Sequence, residues 1–320
     1  MLKQIFFRFG IGFYSLPLPD KEYNMKVSPE LKGHLAIFLA MVLFGLISPI
    51  GKSVLVYIAP LSLNTLRLGG ACTAFWLVSL FMKHESVSWH DLGMLFFAAV
   101  FGTMLNQGLF IIGLSKTSPI DSSIITSMAP VLTMCVAAIY LKEPITRKKL
   151  LGIFLGAVGA VILVFGSMQG VKGQSSMLGD LLCLCAQLSY AIYLTAFKKL
   201  ITRYHPVTVC KWLFSYAFMC YFPLSYSDLA SDHLLSLPAT IWLRIACIAL
   251  LCTVVTFVLM MKAQKILRPT VISTYNYILP VVGTSLSVAM GLASFTWIVL
   301  VAVCFIFTGV YLVTLSKAAR

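Results

Sequence analysis

Apolar residues gather along this chain in ten long runs, roughly 34–58, 61–82, 92–114, 119–140, 148–168, 178–198, 206–226, 239–261, 269–291 and 295–316. A helix needs about 20 residues to cross a hydrocarbon core of about 30 Å, and each run is long enough. Inside lipid the backbone must satisfy its own hydrogen bonds, so spans are either helices or strands of a closed barrel. Barrel strands are about ten residues long and alternate apolar with polar positions. These runs are longer and do not alternate. The pattern predicts an all-α integral membrane protein with ten transmembrane helices.

Residues 1–33 read as a cytoplasmic N-terminal tail. Phe6-Phe7-Arg8-Phe9 is too short to span, and no small-residue cleavage site follows it. Met25 opens Met25-Lys26-Val27-Ser28, a more ordinary start for a chain whose first run begins near His34. Residues 1–24 are therefore expected to be an extension ahead of the native initiator. The other reading is a flexible interfacial tail.

Composition agrees with the pattern. Apolar residues make up 60% and charged residues 11% of the 320 positions, against about 25% charged in soluble domains. The mean hydropathy is +0.95. The net charge of +14 would suggest nucleic acid in a soluble protein, but no groove-reading motif accompanies it. Here the cations sit between apolar runs, where they encode orientation. With an inside N-terminus, 18 of the 24 Lys and Arg fall on the inside, and only Lys116 and Lys172 lie in outside loops. Both termini are expected in the cytoplasm. The nine cysteines all fall inside apolar runs and form no CxxC, so they read as packing residues rather than a metal or disulfide framework. No cofactor and no metal is expected.

Shifting the chain by 150 residues aligns Thr103 with Thr253, Pro119 with Pro269, Ser123 with Ser273, Pro130 with Pro280, Thr146 with Thr296 and Gly159 with Gly309. Two prolines in register inside corresponding helices carry most of this signal. Five helices per half is an odd number, so the second half must be upside down. The charged loop Lys142-Glu143-Pro144-Ile145-Thr146-Arg147-Lys148-Lys149 and its uncharged counterpart, residues 292–299, fit that inversion. The expected organisation is two inverted five-helix repeats, 34–170 and 171–320. Such repeats are a construction principle of secondary transporters.

The chain resembles the EamA-type transporters of the drug/metabolite transporter superfamily over about 34–316. The resemblance rests on Phe44-Gly45 and Ile50-Gly51-Lys52 in the first run, and on Pro60-Leu61 and Leu66-Arg67 in the second. It continues with Gly113-Leu114, the run Ser122 to Pro130, and Leu141-Lys142-Glu143-Pro144-Ile145-Thr146 before a Gly-rich fifth helix. It departs where Ala293 stands in place of a frequent Glu, and where the first helix lacks a frequent Trp. The resemblance implies cytoplasmic termini, the inner (plasma) membrane of a bacterium, and movement of small organic solutes, often outward. The expected function is export of amino acids or related solutes by alternating access. Two rivals are a lipid scramblase or flippase on the same architecture, and an integral membrane enzyme, which lacks a nucleophile motif such as GxSxG.

The ten acidic residues and five histidines lie in loops or at helix ends, whereas a relay for proton coupling sits mid-membrane. Facilitated transport is expected, with Asp121 the candidate if an interfacial acid couples. Lys52 and Arg67 enter the apolar runs more deeply. Each has two readings: snorkelling or structural pairing, and contact with an anionic group of the solute. Asn64, Asn106, Gln107, Gln187 and Asn276 are the neutral polar residues picked as substrate-path candidates, with Tyr190 and Tyr193 as aromatic walls. Interhelical hydrogen bonding is the alternative for the amides. Pro130 and Pro280 are hinge candidates or static kinks. Glu143 reads first as part of a surface ion-pair cluster, and more sharply as a cytoplasmic gate. Gly152, Gly156 and Gly159 permit close helix contact within the bundle, with a homodimer interface as their second use. The expected partners are a small-molecule solute and the lipid bilayer, and no nucleic acid.

Overall fold

The computed structural model describes residues 28–114, 116, 125–167, 176–289 and 297–316. Among them every regular element is helical. The first run holds α1 (Pro29–Gly45) and α2 (Ile47–Val54), and the second holds α3 (Pro60–Leu80). The third is split: α4 (Trp89–Ala99) passes through a π-helical segment, Val100–Leu105, into α5 (Asn106–Leu114). Then come α6 (Ala129–Tyr140), α7 (Arg147–Ser167), α8 (Met177–Ala196), the short α9 (Lys198–Arg203) and α10 (Pro206–Leu224). After α11 (Tyr226–Ser231), α12 (Ala239–Ala249) passes through a second π segment, Leu250–Val255, into α13 (Thr256–Ile266). The last elements are α14 (Pro269–Thr274), a 3₁₀ turn at Tyr275–Tyr277, α15 (Ile278–Ala289) and α16 (Trp297–Thr314).

Local chemistry explains the boundaries. Ser28 caps α1 by accepting from Leu31 N, Pro29 stands in the first turn, and Glu30 follows, all favourable at a helix N-terminus. The helix therefore starts about a turn before the apolar run does, because capping and not hydropathy decides where it begins. Pro60, Pro206 and Pro269 open α3, α10 and α14 in the same way. The first apolar run is also not one straight helix, since α1 ends at Gly45 and α2 resumes at Ile47. A Cβ at Gly45 would stand 2.8 Å from Val282, so the break lies where this helix crosses α15.

The surface is apolar where a soluble protein would be polar. Phe81, Ile139, Leu243, Leu80 and Met219 are largely exposed, while Asn64, Gln187, Thr270 and Glu143 are buried. A continuous apolar exterior is a membrane-facing one. Among the described residues four stretches, Trp89–Phe110, Met177–Ala196, Pro206–Leu224 and Ala239–Ile266, are long and apolar enough to cross a bilayer. The fold is that of a multi-pass membrane protein.

Helix pairs approach closely through small residues. α7 packs on α16, α3 on α10, α8 on α5, and α13 on α1. A Cβ at Gly309 would meet Gly152 O at 2.5 Å, and one at Gly159 would meet Ala302 O at 2.8 Å. As the number rises along α7 it falls along α16, so the two helices run antiparallel. Gly156 accommodates the Tyr277 ring, which would lie 2.3 Å from an added Cβ. Gly152, Gly156 and Gly159 are thus all used inside the chain. Gly309→Val is expected to lower the unfolding free energy of the detergent-solubilised protein by about 2 kcal/mol or more, because the clash is with backbone and not a flexible side chain. Gly93→Ala meets open space and should leave stability unchanged or raise it by up to about 1 kcal/mol. Thermal midpoints of the two variants check the pair; equal losses would mean the α7–α16 contact is not close-packed.

Candidate functional site

The two π segments place the interior polar groups. A π turn displaces backbone carbonyls from their ordinary partners and recurs at functional sites. Around Val100–Leu105 those carbonyls find hydroxyls from other helices. Ser189 donates to Phe101 O at 2.6 Å, and Tyr221 donates to Met104 O at 3.1 Å. Asn106 Nδ2 donates to Ala186 O at 2.9 Å. In the second π segment Thr253 closes the gap itself, donating to Ile248 O at 2.8 Å. Gly102 lets the Tyr193 ring lie against the first π segment, where an added Cβ would stand 2.5 Å away.

Between these helices lies a cavity of about 640 Å³. Its polar lining is Asn64, Arg67, Asn106, Gln107, Thr126, Gln187, Tyr190, Thr256 and Asn276. Seven of the sequence-derived path candidates therefore meet at one place. Tyr193 does not join them; it is 2% exposed, packed beneath the cavity wall against Gly102, with its hydroxyl directed at Met261 Sδ, 3.8 Å away. Lys52 lies on α2, and its side chain is outside the described residues, as is Asp121. The apolar lining includes Met41, Phe44, Leu63, Phe110, Phe257, Met260 and Leu279. Sequence reasoning passed over these because an apolar side chain facing a cavity has the same hydropathy as one facing lipid.

Among the described residues lining this cavity, Arg67 is the charged one. It is 9% exposed, which rules out snorkelling to the headgroups. Its guanidinium donates to Asn64 Oδ1 at 2.8 Å and to Gln107 Oε1. Both acceptors are neutral amides. Among the described residues the ion pairs are Lys149–Glu143, Arg203–Asp91 and His90–Asp91, so none reaches Arg67. Its Nε and Asn64 Nδ2 are buried with no hydrogen-bond partner. Buried polar atoms are nearly always paired, and each exception asks for a reason.

The cavity lining runs from mid-bundle to Leu55 and Pro60, at the α2–α3 turn. The opposite end of the bundle is filled. There Glu143 is 6% and Lys149 0% exposed. Lys149 Nζ donates to Glu143 Oε2 at 3.0 Å, and Thr270 Oγ1 donates to the same oxygen at 2.8 Å. The reading of Glu143 as part of a surface cluster is thus overturned: the α6–α7 turn folds under the start of α14, and Lys149, one turn into α7, follows its carboxylate inward. Lys198 donates to Leu267 O at 2.8 Å and Arg268 to Ser316 O at 2.7 Å, tying neighbouring helix ends. Burial holds the Lys198 ammonium below its ordinary range, and the charge of Glu143 opposes part of that shift. Pro130 and Pro280 do not interrupt continuous helices as expected. Pro130 stands in the first turn of α6, after a turn at Ser127 and Met128, and Pro280 in the first turn of α15, after the 3₁₀ turn. Each follows a break already made, where a missing N–H costs nothing.

The EamA-like transporter family model matches residues 31–165 and again 177–315. The chain belongs to the EamA-like transporter family. Two relatives that cover most of the chain are described as uncharacterized transporters. The uncharacterized transporter YyaM of Bacillus subtilis is 24% identical over 81% of this chain and 87% of its own length. The uncharacterized transporter YetK of the same organism is 21% identical over 94% and 92%. A solved crystal structure of a protein aligns with a TM-score of 0.72, at 18% identity, over 88% of this chain and 96% of that one. At that identity the likeness is one of fold.

In this EamA-like transporter the buried pair makes a stability prediction. Glu143→Ala strands a fully buried ammonium and should cost about 3–5 kcal/mol, whereas replacing Glu143 and Lys149 together by Met should cost far less. Thermal unfolding of both variants in detergent checks this. Equal losses would show that the pair's charges are not interdependent.

Proposed function

We propose that this protein carries small organic metabolites across the inner (plasma) membrane of a bacterium by alternating access, with both termini in the cytoplasm. Amino acids and related solutes moving outward are the class and direction that the family resemblance suggests. The observation that carries the reading is one interior cavity, polar on several helices, open towards the α2–α3 turn and closed at the other end by the Glu143–Lys149–Thr270 contact. With the N-terminus inside, the open end is the outer one. The size of the cavity, about 640 Å³, suits a metabolite, since small-molecule sites run from about 300 to 1,000 Å³.

The reading also takes the chain as two inverted repeats, 34–170 and 171–320. Three features 150 residues apart support it. The π segments at Val100–Leu105 and Leu250–Val255 are in register. So are the helix breaks ahead of Pro130 and Pro280. Gly159 meets Ala302 while Gly309 meets Gly152, which is one contact made twice with the partners exchanged, as a two-fold axis requires. In this frame the breaks before the prolines are the hinges and Glu143 is the cytoplasmic gate. The gate joins the first half to the second through Thr270, so inward opening must break that contact.

In a variant with its native cysteines replaced, Asn106→Cys should react with a membrane-impermeant maleimide added from outside, and slowly from inside. Adding Thr270→Val removes one hydrogen bond to a charged group, worth about 1.5–3 kcal/mol, and should raise the inside rate about tenfold or more by enlarging the inward-open population. Equal reactivity from both sides in every background would sink alternating access. Stabilisation by lipids alone, with no solute effect, would favour a lipid scramblase instead.

A further inference from the structure

The cavity is electrically lopsided. Among its described lining residues it holds one cation and no Asp or Glu. The cation is Arg67, buried against two amide oxygens and reached by no carboxylate among the described residues. A guanidinium withdrawn from water needs acceptors for its donors and an opposing charge. Asn64 and Gln107 supply acceptors without charge. Two further donors on the same face, Arg67 Nε and Asn64 Nδ2, are buried and unpaired. A buried cation and buried donors left without an acceptor suit an acceptor-only group, which is what a carboxylate or phosphate is.

The rest of the lining sets what is attached to that group. Phe44, Phe110, Phe257 and Met260 give the cavity aromatic and thioether walls. The neutral amides Gln187 and Asn276 with Tyr190 line it too, able to pair a hydroxyl or carbonyl but carrying no charge. The ammonium of a zwitterionic amino acid would leave water for a cavity whose described lining offers it no carboxylate and already holds a cation.

We propose that the solute is an amphipathic organic anion, bound through its carboxylate or phosphate by Arg67 and Asn64, with its apolar body against the aromatic wall. An amino acid would qualify only with its amino group masked. This rests on the cavity being the transport site, and it narrows the substrate class of that site. Arg67 and Asn64 lie one turn apart on α3, so the anion pocket is built by a single helix that Gln107 of α5 braces from across the cavity.

The test uses four probes with one shared ring: benzoate, phenyl phosphate, benzamide and phenylalanine. The purified full-length protein is titrated with each and its thermal midpoint followed, since a ligand of the native state raises it with concentration. Benzoate or phenyl phosphate should act at a concentration about tenfold or more below that of benzamide and phenylalanine, the scale of a hydrogen bond to a charged group. Arg67→Gln should remove that preference. Arg67→Lys keeps the charge and loses the fork, so it should weaken the preference without abolishing it, and it carries the same reading if the Gln variant fails to fold. Phenylalanine or benzamide acting as well as the anions would overturn the inference and leave solute transport standing. An anion preference unchanged by either Arg67 variant would overturn it too, as would no response to any of the four. Binding of benzoate through Arg67 without counterflow of benzoate in reconstituted vesicles would keep the anion pocket and overturn the transport reading instead.

Discussion

A guanidinium enclosed in an apolar bundle is the constraint around which the interior is arranged. Burying a charge away from water is costly unless hydrogen bonds and an opposing charge offset the loss. The Arg67 side chain has Asn64 on its own helix and Gln107 across the cavity. Gln107 is in reach because α5 starts after a π turn, which sets the phase of every residue that follows it. That turn in turn holds its shape through Ser189 and Tyr221, whose hydroxyls take up Phe101 O and Met104 O. One cation thus connects helices distant in sequence, and the cavity is the space their polar faces leave between them.

The second charged cluster works differently. Glu143 and Lys149 have each other and Thr270, so these two charges of the closed end are paired, while Arg67 meets no carboxylate among the described residues. Buried pairs add little net stability but are costly to break.

Membership of the EamA-like transporter family accounts for the architecture and leaves the cargo open, since the relatives named above are transporters without an assigned solute. The cargo is a matter of local charge and shape. A helical bundle can enclose many cavities, and what separates one from another is a handful of side chains such as Arg67, Asn64 and Gln187.

Much of this was legible from the chain alone. Hydropathy placed the helices, because lipid permits only a backbone that bonds to itself. Scarcity picked out Arg67, Asn64, Gln107 and Gln187, because a polar residue in an apolar run must face inward. What scarcity cannot supply is distance or direction. Only the tertiary structure put Arg67 beside Gln107, set Tyr193 beneath the wall rather than in it, and drew Lys149 inward from a loop that looked solvated. It alone distinguished Phe110, which lines the cavity, from Phe81, which faces outward. The physical reason is common to all four cases: composition and period report how much a residue avoids water, and only packing across helices decides what it meets instead.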